Sequence, residues 1–298
     1  MKIARAFVGL PILLVVLLHF SACGATPAPG EEPTSTQPER PTVTLKLATT
    51  TVVNDSGLLE YLEPSLWEEE GIALRIMTHR ESADAIETAR EGGCDVLLTH
   101  GPAAEKAFVE EGLGAQRREF MHNFFAVAGP KEDPAGVACA KGAAAALEGI
   151  YDAYLGGDAD CVFFSRDDGS WADRKEKNLW ADRGIDPGAL PAKFYQRTGE
   201  GMRETLLQAQ EAGGYAVTDK LSFLQNKEAL PGLAILLDNN KALKNIYSVT
   251  LLSQKEFPEL QHEAAERFSE WLLQPSTQAR IAAYGKAQYG EALFFAGK

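Results

Sequence analysis

The chain has 298 residues, 45% of them hydrophobic, and a formal net charge of −13. A chain of this length and apolar content can bury a large core in one or two domains, and its acidic balance argues against a nucleic-acid surface. A small anion held in a cleft stays open, because local dipoles and one or two basic groups govern such a site rather than the net charge.

At the start, Lys2 and Arg5 precede an apolar run from Ala6 to Phe20, the charged and hydrophobic regions of a secretory signal. The run is short for a membrane span. Phe20-Ser21-Ala22-Cys23 resembles a bacterial lipobox, with Phe20 where that motif usually has Leu or Val. The resemblance implies a signal peptide over residues 1–22 and lipidation of Cys23, which places the mature protein outside the cytoplasm on a membrane anchor. The alternative is an ordinary signal cut elsewhere, with Cys23 a free thiol. Losing Lys2 and Arg5 takes the formal charge from −13 to −15. Residues 23–42 are rich in Pro, Thr, Ser, Gly and Glu, a composition that buries too little surface to offset its ordering entropy and reads as a solvated tether.

From Val43 onward strands and helices alternate. Strands are expected near Val43 to Thr50, Ile72 to Thr78, Asp95 to Thr99, Phe124 to Gly129, Cys161 to Ser165, Lys193 to Gln196, Tyr215 to Thr218, Leu233 to Leu237 and Ile246 to Leu252. Between them Leu58 to Glu70, Ser82 to Glu91, Ala103 to Glu111, Gly142 to Tyr154, Ala172 to Arg183, Met202 to Ala212 and Glu259 to Leu273 repeat apolar residues at helical spacing. This order predicts an α/β fold with mostly parallel sheets.

Two strand-to-helix turns have the chemistry of an anion site. Thr49-Thr50-Thr51 followed by Asp55-Ser56-Gly57 collects hydroxyls and backbone N–H groups at a helix start. Ser165-Arg166-Asp167-Asp168-Gly169-Ser170 adds the permanent charge and forked donors of Arg166. Plain alternatives exist for both. The hydroxyls of the first turn serve equally as caps, Ser170 with Asp173 has capping-box spacing, and Arg166 can pair with Asp167 or Asp168.

Other chemistries find little support. There is no GxSxG elbow, Walker A loop, HExxH or complete GxGxxG. Adjacent acids such as Asp167 and Asp168 do not face each other as a two-carboxylate site requires. The five histidines lie far apart without metal-ligand spacing. If Cys23 is lipidated, Cys94, Cys139 and Cys161 remain; a Cys139–Cys161 bridge and separate thiols are both open.

Taken in order, Thr49-Thr50-Thr51 with Asp55-Ser56-Gly57-Leu58-Leu59, Asp95-Val96-Leu97-Leu98-Thr99-His100, Arg117-Arg118-Glu119-Phe120-Met121, Asp133-Pro134-Ala135-Gly136, Ser165-Arg166, Gly201-Met202 and Thr218-Asp219 form a series of motifs at compatible spacing. The series resembles the tungstate-binding proteins of bacterial ABC importers, from about Val43 to Phe295. The resemblance implies a type II-like periplasmic-binding-protein fold. Lobe I would comprise residues 43–126 and 248–298 and lobe II residues 127–247, joined by two hinge strands around a ligand cleft. It implies Thr50, Thr51 and Ser56 as first-lobe ligand groups, and Ser165 with Arg166 as the second-lobe pair. It further implies no cofactor, a tungstate- or molybdate-type oxyanion as cargo, an ABC permease with its ATPase as partners, and a monomer.

The chain departs from that pattern where the ligand is expected. Val52 follows the threonine run where the resembling family continues with Ser. Asp167 and Trp171 replace glycines, and Ala172 replaces a threonine hydroxyl. Glu200 stands for Gln and Lys220 for Arg. Altered specificity on the same scaffold, toward another anion or a cationic or organic solute in uptake or sensing, is the second reading. An enzyme is the third, without a nucleophile and adjacent base to name.

Overall fold

A computed structural model describes residues 42–158 and 160–297; the signal, the tether and the Cys23 lipidation site read from sequence lie outside them. In chain order the described elements are β1 (Val43–Thr50), α1 (Thr51–Asp55), α2 (Leu58–Glu70), β2 (Ile72–His79), α3 (Ser82–Arg90), β3 (Val96–Thr99), α4 (Pro102–Glu110) and β4 (Gly114–Pro130). They continue as α5 (Ala143–Leu155), β5 (Phe163–Ser165), α6 (Trp171–Ala181), β6 (Tyr195–Arg197), α7 (Met202–Ala212), β7 (Tyr215–Asp219) and α8 (Lys220–Gln225). The chain closes with β8 (Leu233–Leu237), β9 (Lys244–Leu252), α9 (His262–Leu273), α10 (Pro275–Ala283), α11 (Lys286–Tyr289) and β10 (Phe295–Ala296). Among the described residues no helix is long and apolar enough to cross a membrane.

The sheet runs β2-β1-β3-β9-β4-β7-β5-β6, with β8 and β10 both against β4. β1 lies parallel to β2 and β3, and β5 parallel to β6 and β7. The expectation of mostly parallel pairing fails at the centre, where every pair made by β4 and β9 is antiparallel. β4 is also longer than expected. Its first half, Gly114 to Phe124, pairs with β9, and from Phe125 onward it pairs with β7 and β8. The charged stretch Gln116 to Glu119 can be a strand because its side chains find partners: Arg117 Nε donates to Glu105 at 2.7 Å and Arg118 reaches Glu266 at 2.5 Å.

Apolar faces meet in separate clusters on the two parts of the sheet. One gathers Val127, Leu147, Phe163, Trp180, Leu206 and Tyr215; another gathers Leu45, Leu62, Phe120, Tyr247, Phe268 and Trp271. The C-terminal helices are fastened to the second. Trp271 Nε1 donates to Glu69 at 2.7 Å and Tyr284 Oη to the Ser56 carbonyl at 2.6 Å. Gly57, between α1 and α2, has φ +75°, and a Cβ there would lie 2.7 Å from Tyr284 Oη. Only glycine turns the chain at that point without strain. Cys94, Cys139 and Cys161 are free thiols, which settles the open question of a Cys139–Cys161 bridge against it.

Candidate functional site

The ends of β1, β5 and β7 and the start of β9 face a cavity of about 380 Å³, lined among others by Thr51, Val52, His100, Arg166, Trp171 and Asn245. A neighbouring compartment of about 450 Å³ shares Thr51, Val52, Arg166, Asp219 and Tyr247 and adds Ser56.

The first turn divides its hydroxyls between structure and cavity. Thr49 Oγ1 donates to the Leu98 carbonyl at 2.7 Å, tying β1 to β3. Thr50, fully buried, places its Oγ1 3.1 Å from His100 Nε2 and does not line the cavity. Thr51 does line it, beside the exposed Val52. Ser56 Oγ donates to the Val53 carbonyl at 2.6 Å and accepts from Leu58 N–H at 3.2 Å, so this hydroxyl also joins α1 to α2.

The second turn is built on a buried carboxylate. Glu176 of α6 accepts from Ser165 Oγ at 2.5 Å, Tyr195 Oη at 2.6 Å and Trp180 Nε1 at 2.9 Å. Burial pushes it up to about 7, against those three bonds. The Ser165 hydroxyl therefore points beneath the turn; Arg166, the next residue, lines both compartments. Its Nη2 donates to Asp168 at 2.5 Å, while its Nε is buried with no hydrogen-bond partner among the described residues. Asp168 also accepts from the Ser170 amide at 3.0 Å and lies 3.6 Å from Arg80. Burial alone would raise it, but Ser170 and Arg166 hold it below the ordinary carboxylate range. Ser170 Oγ accepts from Asp173 N–H at 3.3 Å and caps α6.

The residues that depart from the family pattern occupy different places. Asp167 has φ +44° and turns outward, 2.7 Å from Lys177 and 3.7 Å from Arg197, lining neither compartment. Trp171 and Ala172 do line the 380 Å³ cavity, and Trp171 Nε1 donates to Asn245 Oδ1 of β9 at 3.0 Å. Glu200 lines it too. Lys220 lies outside both, bound to Asp238 at 2.7 Å and to Glu291.

Several lining residues were not singled out from sequence. Arg80 and Glu81 follow β2, and Arg174 reaches across to Glu81 at 3.0 Å. Asn245 Nδ2 donates to Tyr247 Oη at 2.9 Å and to Asn123 Oδ1 at 3.1 Å. The available signal was polar residues, His100 and Asn245, at the ends of strands that are otherwise buried.

A mixed α/β sheet flanked by helices, with loops from both of its parts converging on one polar cavity, is the architecture of a solute-binding protein of the periplasmic type. Residues 31–276 match the PBP superfamily domain. The tungstate-binding protein TupA of Peptoclostridium acidaminophilum is 33% identical over 284 residues, covering 95% of this chain and 94% of the relative. Among solved structures, tungstate-binding TupA from Desulfovibrio alaskensis G20 is 35% identical with a TM-score of 0.76, over 85% of this chain and 98% of the other. The tungstate ABC transporter structure from Geobacter sulfurreducens is 32% identical with a TM-score of 0.67, over 81% and 98%. The chain belongs to the PBP superfamily and, within it, to the family of tungstate-binding proteins.

Proposed function

We propose that the protein is the solute-binding lipoprotein of an ABC importer, capturing tungstate or a related tetrahedral oxyanion such as molybdate and presenting it to a permease and its ATPase. The observation that carries this reading is Arg166, a guanidinium lining the cavity with a buried Nε that has no acceptor. A dehydrated dianion needs positive charge as well as neutral donors. Thr51 stands beside it as a hydroxyl donor. Thr50 and Ser165 act one layer back, since the Thr50 hydroxyl is engaged with His100, which itself lines the cavity, and the Ser165 hydroxyl with the buried Glu176.

Residues 43–126 with 248–298 would form one lobe and residues 127–247 the other, with β4 and β9 as the hinge strands. The separate apolar clusters follow that division except at Phe125, Leu221 and Tyr247, and the change of β4 partners at Phe124 and Phe125 supports it. The Arg80–Asp168 and Glu81–Arg174 pairs would then draw the lobes together over the ligand. Cys23 would anchor the mature chain on the outer face of a membrane, at the end of the tether.

The test is a thermal-shift panel on lipid-free protein from residue 24 with tungstate, molybdate, sulfate, phosphate and no anion. Ligand at about a hundred times its Kd adds about 2.7 kcal/mol, a shift of several degrees. The expected result is a shift with tungstate or molybdate; no shift with any of the four anions would overturn the reading.

A further inference from the structure

The cavity holds a second buried donor besides Arg166. His100 follows β3, is 4% exposed, and lines the cavity with its ring 5.2 Å from Tyr247 and 6.4 Å from Trp171, centre to centre. Its Nε2 lies 3.1 Å from Thr50 Oγ1. Thr50 is 1% exposed, and among the described residues its hydroxyl makes no other side-chain hydrogen bond. A buried hydroxyl gives its proton to the acceptor it has, so Nε2 accepts and the neutral ring carries its own proton on Nδ1. Among the described residues, that Nδ1 is buried with no partner at hydrogen-bond geometry. The Asn245 oxygen, which accepts from Trp171 and keeps a second lone pair, is near the ring but outside hydrogen-bond geometry to Nδ1.

The protonation state agrees. Burial pushes His100 down to about 4, against the charge of Glu105 and the Asn245 side chain, so the ring is neutral near pH 7. A buried N–H on a ring that lines a polar cavity, with no acceptor at hydrogen-bond geometry among the described residues, is costly unless a ligand supplies one.

We infer that His100 is a binding residue of the oxyanion site, a neutral donor whose Nδ1–H is oriented by Thr50 toward a ligand oxygen. The inference rests on the oxyanion reading above and gives Thr50 its role, since that hydroxyl acts through the imidazole. It also bears on specificity. Arg166 and His100 offer only hydrogens, which suits a ligand whose oxygens are all unprotonated and disfavours one with an O–H, such as hydrogen phosphate, directed at them.

Calorimetric titration with tungstate tests the inference in wild type, His100→Gln and His100→Asn. The asparagine amide nitrogen falls near the Nδ1 position, whereas the glutamine amide reaches toward Nε2 and Thr50. The expected result is a loss of about ten-fold or more in affinity for His100→Gln, with His100→Asn retaining most of it. Tungstate binding that is unchanged in His100→Gln overturns this inference alone; a wild-type chain that takes no tungstate overturns the oxyanion reading and this inference with it. If the variants do not fold, the wild type still decides. Imidazole ¹⁵N spectra should show the proton on Nδ1 without ligand and a shift of that proton on adding tungstate, and a proton on Nε2 refutes the inference.

Discussion

Replacing Arg166 with alanine removes the cationic donor of the cavity. The wild-type side chain is 18% exposed and commits one nitrogen, Nη2, to Asp168. Its Nε has no partner among the described residues. A hydrogen bond to a charged group contributes about 1.5–3 kcal/mol, and a guanidinium fork makes two. Halved for the opposing charge of Asp168, this leaves about 1.5–3 kcal/mol, or about 10- to 150-fold in Kd. Asp168 would keep the Ser170 amide at 3.0 Å and Arg80 at 3.6 Å, so the turn retains partners. Calorimetric titration with tungstate measures the effect, and the melting point without ligand reports folding. Arg166→Lys should fall between, since it keeps the charge and loses the fork. An Arg166→Ala protein that folds and binds tungstate within three-fold of wild type would refute the assignment.

Glu176 makes stability depend on pH: its folded value of about 7 lies above its ordinary 4.5, so its contribution is full below about 4.5 and is lost as pH rises through 7. The span is worth about 3 kcal/mol; denaturant titrations from pH 4.5 to 7.5 should show Glu176→Gln losing that slope, and identical slopes would contradict it. Asp167→Gly relieves a left-handed backbone position and removes an outward ion pair, so tungstate affinity should change less than about five-fold. A larger gain would place the carboxylate in the ligand's field. Trp171→Phe leaves Asn245 Oδ1 without its indole donor and should cost about 1–2 kcal/mol in stability by chemical denaturation, whereas an unchanged midpoint would mean that the bond contributes nothing.

Local patterns carried much of the fold. β1, α2, β8 and α7 follow the expected bounds, because each repeats apolar residues at the period of its element. The first half of β4 escaped because Arg117, Arg118 and Glu119 break any apolar alternation, and the acids that receive Arg117 and Arg118, Glu105 and Glu266, lie 12 and 148 residues away. The antiparallel pairing of β4 with β9 is likewise long-range, with no local trace in either strand. Of the positions that line the cavity, Thr51 and Arg166 were legible because a turn before a helix has a recognisable composition. Thr50 and Ser165 show the limit of that reading. Whether a hydroxyl faces the ligand or a neighbour such as His100 or Glu176 depends on contacts 50 and 11 residues away. Lys220 stands where the family pattern has Arg, yet Asp238 and Glu291 hold it outside both compartments.

The most direct measurement is an anomalous difference map from crystals grown with tungstate, recorded at a tungsten absorption edge. The account predicts one strong peak in the cavity, within hydrogen-bond distance of Arg166 Nε and His100 Nδ1 through the ligand oxygens. A tungsten peak bound elsewhere, or an empty cavity at saturating tungstate, would contradict it.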